Sequence, residues 1–397
     1  MQPSPSFSSW LVNDPGVRRS GAGICMALLA VLCATPLFAQ AASQGLPLET
    51  AAALDHDIQS ILEETAVPSA SVALVRDGRI AYVKAYGEAR LEGGVRATEA
   101  TRYTIGSLTK QFTATAVLLL AQDGKLSLDD PIGKYLPGLT AGDRITVRRL
   151  LNHTAGYGDY WPEDYVTREL VSAISPTVLG ERWATVPLDF QPGEAWRYCN
   201  TCYVLAGLIV EKASGESFGR FIKERIFQPL HMSSALDVDS HRGAQDARGY
   251  TRTAFGPLRP AVVVGQGWLY AAGGLAMTAE DLARWDVAMI ERTLLKPESY
   301  QQQFQSARLN NGRDVHYGLG IEVTTVDDRH VYQHGGSIWG FQAYSRVYPR
   351  DRDAIVVLTN TDFGRAARDA IVERLAAVLF GRGSHVAADQ AMVVASK

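Results

Sequence analysis

The pattern of apolar residues near the start of the chain predicts a β-hairpin followed by a buried helix. Residues 71–75 and 80–86 are two runs rich in β-forming residues, separated by a short segment that contains Asp77-Gly78. An Asp-Gly pair between such runs favours a tight hairpin turn, because glycine readily adopts the positive φ that the turn requires. Residues 108–122 are apolar around almost the whole helical period and stop just before Gly124. This is typical of a helix enclosed by protein and ended by a glycine.

The rest of the chain predicts helices in the middle and strands towards the end. Residues 140–305 alternate helical segments, such as 203–213, with loops rich in glycine, proline and aromatic residues. A closing helix is expected over residues 366–380, after four short strands at 320–325, 329–333, 342–348 and 354–360. Short connections between successive strands favour antiparallel pairing. We therefore predict one α+β unit in which the N-terminal hairpin joins the C-terminal sheet.

The first 41 residues have the pattern of an export signal. The pair Arg18-Arg19 precedes a short apolar stretch over residues 21–38, and Ala39-Gln40-Ala41 follows. This order is typical of a secretory signal peptide cleaved after Ala41. The alternative, a transmembrane anchor, is disfavoured by Pro36 and by the small residues at the exit. We expect a periplasmic or secreted protein with a signal peptide at 1–41, one folded domain at 42–384 and a loose tail at 385–397.

Composition narrows the class of protein without indicating an activity. The chain has 397 residues, of which 46% are hydrophobic and 20% charged, and its mean hydropathy is −0.06. These values are typical of a soluble globular protein, and no run after the signal reaches the roughly 18 apolar residues that a membrane span needs. Thirty-nine basic against 42 acidic residues give a net charge of −3. No nucleic acid or anionic membrane is therefore expected as a partner, and the oligomeric state stays open.

Two cysteines, Cys199 and Cys202, remain after the predicted cleavage. In an oxidising compartment they can form a Cys-x-x-Cys bridge. A redox site of the thioredoxin type opens a helix after a strand in a small βαβ unit, and nothing around Cys199 has that pattern. Two small, buried side chains at a packed turn are favoured over a redox function, and whether the two sulfur atoms are bridged stays open.

Ser107 and Lys110 form the only Ser-x-x-Lys sequence of the chain, at the start of the predicted buried helix. Side chains three residues apart lie on one helix face, so the lysine amine can reach the serine hydroxyl. Serine is a poor nucleophile until a neighbouring base takes its proton. A helix N-terminus also favours the negative charge that develops on an attacked carbonyl. The alternative is a capping serine beside a surface lysine.

Tyr198 and Asn200 form the only Tyr-x-Asn sequence and precede the helix predicted at 203–213. A tyrosine of ordinary pKa, about 10, acts as a base near neutral pH only if nearby cations favour the phenolate. We expect Lys110 to lower the pKa of Tyr198 in this way in a partly buried cleft. Asn200 offers both a donor and an acceptor to a substrate amide. The alternative is a buried tyrosine and a turn asparagine with structural roles.

The segment His334-Gly335-Gly336-Ser337 follows the strand predicted at 329–333. Glycines at a strand end allow a substrate backbone to approach closely. The backbone amide of Ser337, together with that of Ser107, can form an oxyanion hole. The alternative is a structural histidine at the end of a strand. No His-Glu-x-x-His motif or glycine-rich phosphate loop occurs, and we expect neither a metal nor a cofactor.

The order and spacing of these three motifs resemble the serine β-lactamase and penicillin-binding-protein-like hydrolases, in the branch of class C β-lactamases, DD-peptidases and esterases. The resemblance spans residues 54–380 and includes the segments 150–156 and 272–282. It implies an α+β, β-lactamase/transpeptidase-like fold: an antiparallel sheet with N- and C-terminal helices, an all-helical lobe, and the site between them.

The resemblance also implies roles for individual residues. Ser107 would be acylated, and Lys110 and Tyr198 would share the general-base work. Asn200 would orient the substrate. The opposite wall of the site would be formed by the segment that contains His334, Gly335, Gly336 and Ser337.

One departure from the family bears on the substrate. β-Lactamases of this branch typically have Lys-Thr-Gly where this chain has His334-Gly335-Gly336. Lysine directs a charge towards a substrate carboxylate, whereas histidine, with a pKa of about 6.5, is mostly neutral at pH 7. We therefore predict an exported serine hydrolase that cleaves a small ester, amide or peptide through an acyl-Ser107 intermediate, as an esterase or a D-amino-acid peptidase-like enzyme. The alternatives are β-lactamase activity and a catalytically weak protein of the same fold that binds a peptide or cell-wall fragment.

Overall fold

A seven-stranded antiparallel sheet carries the fold. The computed structural model describes residues 45–161, 168–240, 246–254 and 256–381; the predicted signal peptide and tail lie outside these ranges. The sheet has the strand order β3-β2-β1-β12-β11-β10-β9, and five short strands form two smaller sheets. The strands are β1 Ser69–Arg76, β2 Arg79–Arg90, β3 Val95–Arg96, β4 Tyr103–Thr104, β5 Leu236–Asp237, β6 Tyr250–Thr251, β7 Arg259–Pro260, β8 Leu275–Met277, β9 Glu322–Val326, β10 Arg329–Ile338, β11 Phe341–Tyr348 and β12 Asp353–Thr359.

The helices cover both faces of the sheet and form a helical lobe beside it. On one face α1 and α10 pack against each other, and α8 packs on the other face, against β1 and β12. The lobe is centred on α5, which contacts α2, α3, α4, α6 and α7. The helices are α1 Leu48–Thr65, α2 Thr109–Gln122, α3 Val147–Leu151, α4 Pro176–Ala184, α5 Asn200–Ser214, α6 Phe218–Ile222, α7 Tyr270–Gly273, α8 Ala279–Glu291, α9 Pro297–Phe304 and α10 Arg365–Phe380.

The N-terminal hairpin and its place in the sheet are confirmed. Asp77 and Gly78 connect β1 and β2 with φ values of +52° and +74°, the left-handed pair that a two-residue hairpin turn requires. The central strand β1 also pairs with the C-terminal strand β12, with Val72 opposite Val357. The predicted α+β architecture, built from both ends of the chain, is therefore correct.

Alternate residues of the central strands enter two separate cores. Val72 and Leu74 of β1 pack towards α1 and α10, whereas Ala73 and Val75 pack towards α8 and the helical lobe. All four side chains are fully buried. Burial on both faces explains why residues 72–75 of β1 are all apolar rather than alternating.

The two helices that carry the candidate motifs form as expected, with small differences at their ends. Helix α2 is buried along almost its whole length, and Gly124, at φ +71°, follows its end. Helix α5 begins at Asn200, three residues before the predicted start, with the side chain of Cys199 accepting a hydrogen bond from the Cys202 amide. Asn200 is thus a helical residue.

Strand β10 is longer than predicted. It continues to Ile338, because its last five residues pair with residues 341–345 of β11. His334, Gly335 and Gly336 consequently lie inside a strand, whereas the sequence predicts that the strand ends at Gln333. Glycine disfavours strands intrinsically, and here pairing with a neighbouring strand overrides that preference.

Candidate active site

Ser107 lies in a tight turn in a cleft between the sheet and the helical lobe. The turn, Gly106–Leu108, leads directly into α2. Gly106 has a φ of +53°, and a Cβ in its place would lie 3.1 Å from the Ser337 nitrogen, so both conformation and space require glycine. A side chain at Gly336 would collide with the Ile105 carbonyl. The absence of a side chain at Gly336 therefore allows the Ser107 turn to pack against β10.

Lys110 is fully buried and is held by three oxygen atoms. Its Nζ lies 3.1 Å from Ser107 Oγ and donates to Asn200 Oδ1 at 2.7 Å and to the Ala272 carbonyl at 2.8 Å. Burial lowers the pKa of Lys110 to about 7, against the opposing effect of the Asp159 carboxylate. A substantial fraction of the amine is therefore neutral near pH 7.

The contacts of Lys110 direct its lone pair when the amine is neutral. A neutral amine has two N–H groups and one lone pair. Asn200 Oδ1 and the Ala272 carbonyl are pure acceptors and engage both N–H groups. The lone pair is left for Ser107 Oγ, which can donate only through its hydroxyl proton. This is the arrangement that a general base for Ser107 requires.

Tyr198 is close to Ser107, but its pKa is shifted in the opposite direction from the one predicted. Burial raises the pKa of the phenol well above its usual range, outweighing the Ser107 hydroxyl, which favours the phenolate. Lys110 Nζ lies 4.7 Å from the centre of the Tyr198 ring. Burial thus opposes the phenolate on which a base role of Tyr198 depends. A protonated Tyr198 can instead donate a proton to a leaving group.

Replacing Tyr198 with phenylalanine should lower kcat/KM roughly 10²-fold, as the loss of acid–base assistance does. The substitution keeps the ring and its contact with Lys110 and removes only the hydroxyl. Steady-state kinetics on an activated ester and on an amide provide the test, and the amide should lose more, because an amine leaves only after protonation. An unchanged rate on both substrates would assign the acid–base role elsewhere.

The side-chain amide of Asn200 links Lys110 to Asp159. Both ends of the Asn200 amide have partners: its Oδ1 accepts from Lys110, and its Nδ2 donates to Asp159 Oδ2 at 2.9 Å. Asn200 lines the cleft, as expected of a substrate-binding residue. Its amide, however, is positioned by Lys110 and Asp159 before any substrate arrives.

His334 does not form the opposite wall of the cleft. Its ring is fully buried, and Nε2 lies 2.9 Å from the Tyr317 hydroxyl. Burial, together with Lys110, lowers the pKa of His334 to about 3, so the ring is neutral at pH 7, as predicted. The wall is formed by the next three residues, Gly335, Gly336 and Ser337. The prediction for His334 fails because the alternation along β10 turns this side chain inwards.

Four charged residues of the cleft have no counterpart in the predicted site: Asp159, Asp362, Arg365 and Arg368. Asp159 lies on the wall opposite β10, while Arg365 and Arg368 border the cleft from the first turn of α10. The Arg368 guanidinium is already engaged: it donates to Asp369 at 2.8 Å and to Gln342 Oε1 at 3.3 Å. Both signs of charge therefore border the cleft, although the lysine of the Lys-Thr-Gly triplet is absent. The two arginines belong to a helix about 30 residues further along the chain and have no local sequence signal.

Aromatic side chains form one side of the cleft mouth. The rings of Trp161 and Trp339 are 5.4 Å apart, and both line the cleft with Tyr160. Such surfaces favour flat or apolar groups of a ligand.

The two cysteines are buried and form a disulfide, which settles the pairing that the sequence left open. Cys199 and Cys202 bridge the residue between Tyr198 and Asn200 to the first turn of α5. The Cys199 amide also donates to His153 Nδ1 at 3.0 Å. The turn that presents Tyr198 and Asn200 is thus fixed both covalently and by a hydrogen bond.

A second serine fits a known hydrolase pattern but lacks its structural setting. Gly215-Glu216-Ser217-Phe218-Gly219 matches Gly-x-Ser-x-Gly. In a nucleophile elbow that serine lies between a strand and a helix. Here Ser217 joins two helices and caps α6 by accepting from the Arg220 amide. Ser217 is therefore a capping residue.

The described ranges contain no group of three or more His, Cys, Asp or Glu side chains placed to hold a metal ion. No helix in the same ranges is both long and apolar enough to cross a membrane. Ser107, Lys110, Tyr198, Asn200 and the Gly335–Ser337 wall do meet in one cleft of about 400 Å³.

An antiparallel sheet beside a helical lobe, with a Ser-x-x-Lys turn in the cleft between them, defines the β-lactamase/transpeptidase-like class. The chain belongs to the Beta-lactamase family, a family of serine hydrolases: a sequence model of that family matches residues 54–378. Among curated relatives, Protein flp of Staphylococcus aureus is 28% identical over 324 residues. That match covers 77% of this chain but 62% of the relative, so this chain spans less than two thirds of its length.

Solved structures agree with this assignment. The octameric penicillin-binding protein homologue from Pyrococcus abyssi matches with a TM-score of 0.70 and 29% identity, over 83% of this chain and 77% of that one. A D-stereospecific amidohydrolase from Streptomyces sp. matches with a TM-score of 0.70 and 27% identity, over 83% of this chain and 99% of that one. The predicted family and fold are thereby confirmed.

Proposed function

We propose that this protein is an exported serine hydrolase that cleaves an ester or amide bond through an acyl-Ser107 intermediate. The observation that carries the proposal is the set of contacts around Lys110, which leaves the lone pair of a neutral amine for the Ser107 hydroxyl. Proton transfer from serine to lysine requires that both N–H groups of the neutral amine have acceptors and that the serine hydroxyl donates to its lone pair.

The proposed reaction uses the residues of the cleft in a fixed order. Ser107 Oγ attacks the substrate carbonyl, and its proton passes to Lys110. The backbone amides of Ser107 and Ser337 bind the developing oxyanion. Tyr198 protonates the leaving group and recovers a proton from Lys110. Water then attacks the acyl-enzyme and gives up a proton to the same pair, which returns it to Ser107 Oγ as the bond between the acyl group and Ser107 breaks.

Export rests on two independent features. The first 41 residues have the order of a signal peptide. The Cys199–Cys202 disulfide favours the same conclusion, because disulfides persist in oxidising compartments such as the periplasm and the extracellular space.

Short D-amino-acid amides and activated esters are the proposed substrates, ahead of β-lactams. The Streptomyces structural relative is a D-stereospecific amidohydrolase. His334 gives the cleft no charge, because it is buried and neutral, and both arginines of the cleft, Arg365 and Arg368, already have partners in the protein. A β-lactam carboxylate thus lacks the lysine that normally meets it.

A substrate panel tests this choice. We expect turnover of a D-amino-acid p-nitroanilide or a p-nitrophenyl ester, with kcat/KM for the chromogenic cephalosporin nitrocefin at least tenfold lower. The L-amino-acid p-nitroanilide is the matched control for stereochemistry. Faster hydrolysis of nitrocefin than of either other class would replace this proposal with β-lactamase activity.

A further inference from the structure

A carboxylate, Asp159, stands at the far end of the hydrogen-bonded chain that reaches Ser107. Its Oδ2 accepts from Asn200 Nδ2 at 2.9 Å, and its Oδ1 accepts from the backbone amides of Asn200 and Trp161, each at 3.2 Å. The side chain borders the cleft yet is largely removed from water. Three hydrogen bonds therefore fix this carboxylate relative to Asn200.

We propose that Asp159 is a positioning residue, which holds the Asn200 amide with its carbonyl, and not its NH2 group, towards Lys110. The proposal rests on the proposed function, in which Lys110 is the base for Ser107. One chain of hydrogen bonds then runs from Asp159 through Asn200 and Lys110 to Ser107, with a fixed donor and acceptor at each step.

The direction of the Asn200 amide follows from donor and acceptor chemistry. The two ends of an asparagine amide have nearly the same shape, so hydrogen-bond partners decide which end points where. An ionised carboxylate only accepts, so the NH2 group must face Asp159 and the carbonyl must face Lys110. In the reversed orientation the NH2 group would donate into the lone pair of a neutral Lys110. That lone pair would then be lost to Ser107.

Asp159 also acts on Lys110 through its charge. The carboxylate raises the pKa of Lys110 against the larger, lowering effect of burial, and the result is about 7. Burial raises the pKa of Asp159 itself, while the Trp161 amide, the charge of Lys110 and the Asn200 amide oppose this effect and favour the ionised carboxylate. Loss of the charge should therefore move the titration of Lys110 to lower pH.

The other titratable groups around Lys110 keep one charge state near pH 7. Burial lowers the pKa of both histidines, that of His334 to about 3, and raises the pKa of both tyrosines well above the usual range. The four groups are His153, which follows α3, Tyr198 in the turn before α5, Tyr203 in α5 and His334 in β10. A shifted pH profile in an Asp159 variant thus reports on Asp159 and Lys110.

The test is the pH dependence of Ser107 labelling by a fluorophosphonate, from pH 5 to 9. In the wild type the second-order rate constant should rise through about pH 7, as Lys110 loses its proton. In Asp159→Asn the rising part of this pH profile, or limb, should lie lower by roughly one pH unit or more. The rate constant at high pH, the plateau, should fall roughly tenfold or more, because the acid–base groups are misplaced. Asp159→Ala removes the charge without adding a mismatched donor. It should show the same limb shift, and it replaces the asparagine variant if that one does not fold.

Asp237→Asn is the matched control. Burial also raises the pKa of Asp237 to about 6, but this carboxyl lies on β5 and is not among the groups that act on Lys110. Its profile should coincide with that of the wild type. A plateau rate constant in Asp159→Asn equal to that of the wild type would overturn the positioning role, and unshifted profiles in both Asp159 variants would overturn the effect of its charge; neither result would affect the proposed function. A wild type that is not labelled at any pH would overturn the proposed function, and this inference with it.

Discussion

Replacing Ser107 with alanine is expected to lower kcat at least roughly 10⁴-fold on every ester or amide that the protein hydrolyses. In the proposed mechanism the acyl intermediate forms on Ser107 Oγ, so alanine leaves no nucleophile at this position. Within the described residues, Lys110 and Tyr198 interact with this hydroxyl. The measurement is steady-state hydrolysis of the best ester and amide of the panel.

The fold should survive this substitution. Ser107 is partly exposed in the cleft, and its side chain makes one of the three hydrogen bonds of Lys110. The free energy of unfolding should therefore change by less than about 1.5 kcal/mol. Ser217→Ala serves as the matched control, because Ser217 belongs to the other hydrolase-like sequence and only caps α6. Turnover that persists in Ser107→Ala and disappears in Ser217→Ala would reverse the assignment.

Replacing Lys110 with methionine is expected to lower kcat/KM roughly 10³-fold, as the loss of a general base does. Methionine fills a similar volume but has no amine to take the Ser107 proton. Asn200 Oδ1 and the Ala272 carbonyl lose their donor, so some stability is also lost, on the order of 1–3 kcal/mol for each buried group left unpaired. Activity is therefore compared at a temperature where both proteins are folded.

Arginine at the same position separates a base from a simple positive charge. Arg stays protonated at any pH at which proteins are studied and has no lone pair to accept a proton. If Lys110 works as a base, Lys110→Arg is as inactive as Lys110→Met. If the arginine variant keeps a tenth or more of the activity, Lys110 acts through charge alone, and the argument from its lone pair is wrong.

The elements of the fold were predictable where the signal is local. Asp77-Gly78 specifies a hairpin because few other sequences adopt two successive positive φ values. Helix α2 is recognisable because burial on all sides makes its whole surface apolar. The end of β10 was not predictable, because Gly335 and Gly336 are held in the strand by pairing with β11, a contact that no short stretch of sequence contains.

The same distinction holds in the active site. Ser107 and Lys110 are one helical turn apart, so their contact follows from their spacing. The link from Asn200 to Asp159 joins residues 41 positions apart, and only the fold creates it. Lys110 was expected to lower the pKa of Tyr198, but the sequence does not indicate how deeply the phenol is buried, and burial decides the direction.

The central claim is that Ser107 is the nucleophile, and intact-mass measurement after incubation with a fluorophosphonate tests it most directly. The account predicts one adduct per chain in the wild type and none in Ser107→Ala, with Ser217→Ala labelled like the wild type. Incubation with a penicillin under the same conditions should leave the mass unchanged. An adduct that persists in Ser107→Ala, or a wild type that gains no mass from the fluorophosphonate, would contradict the account.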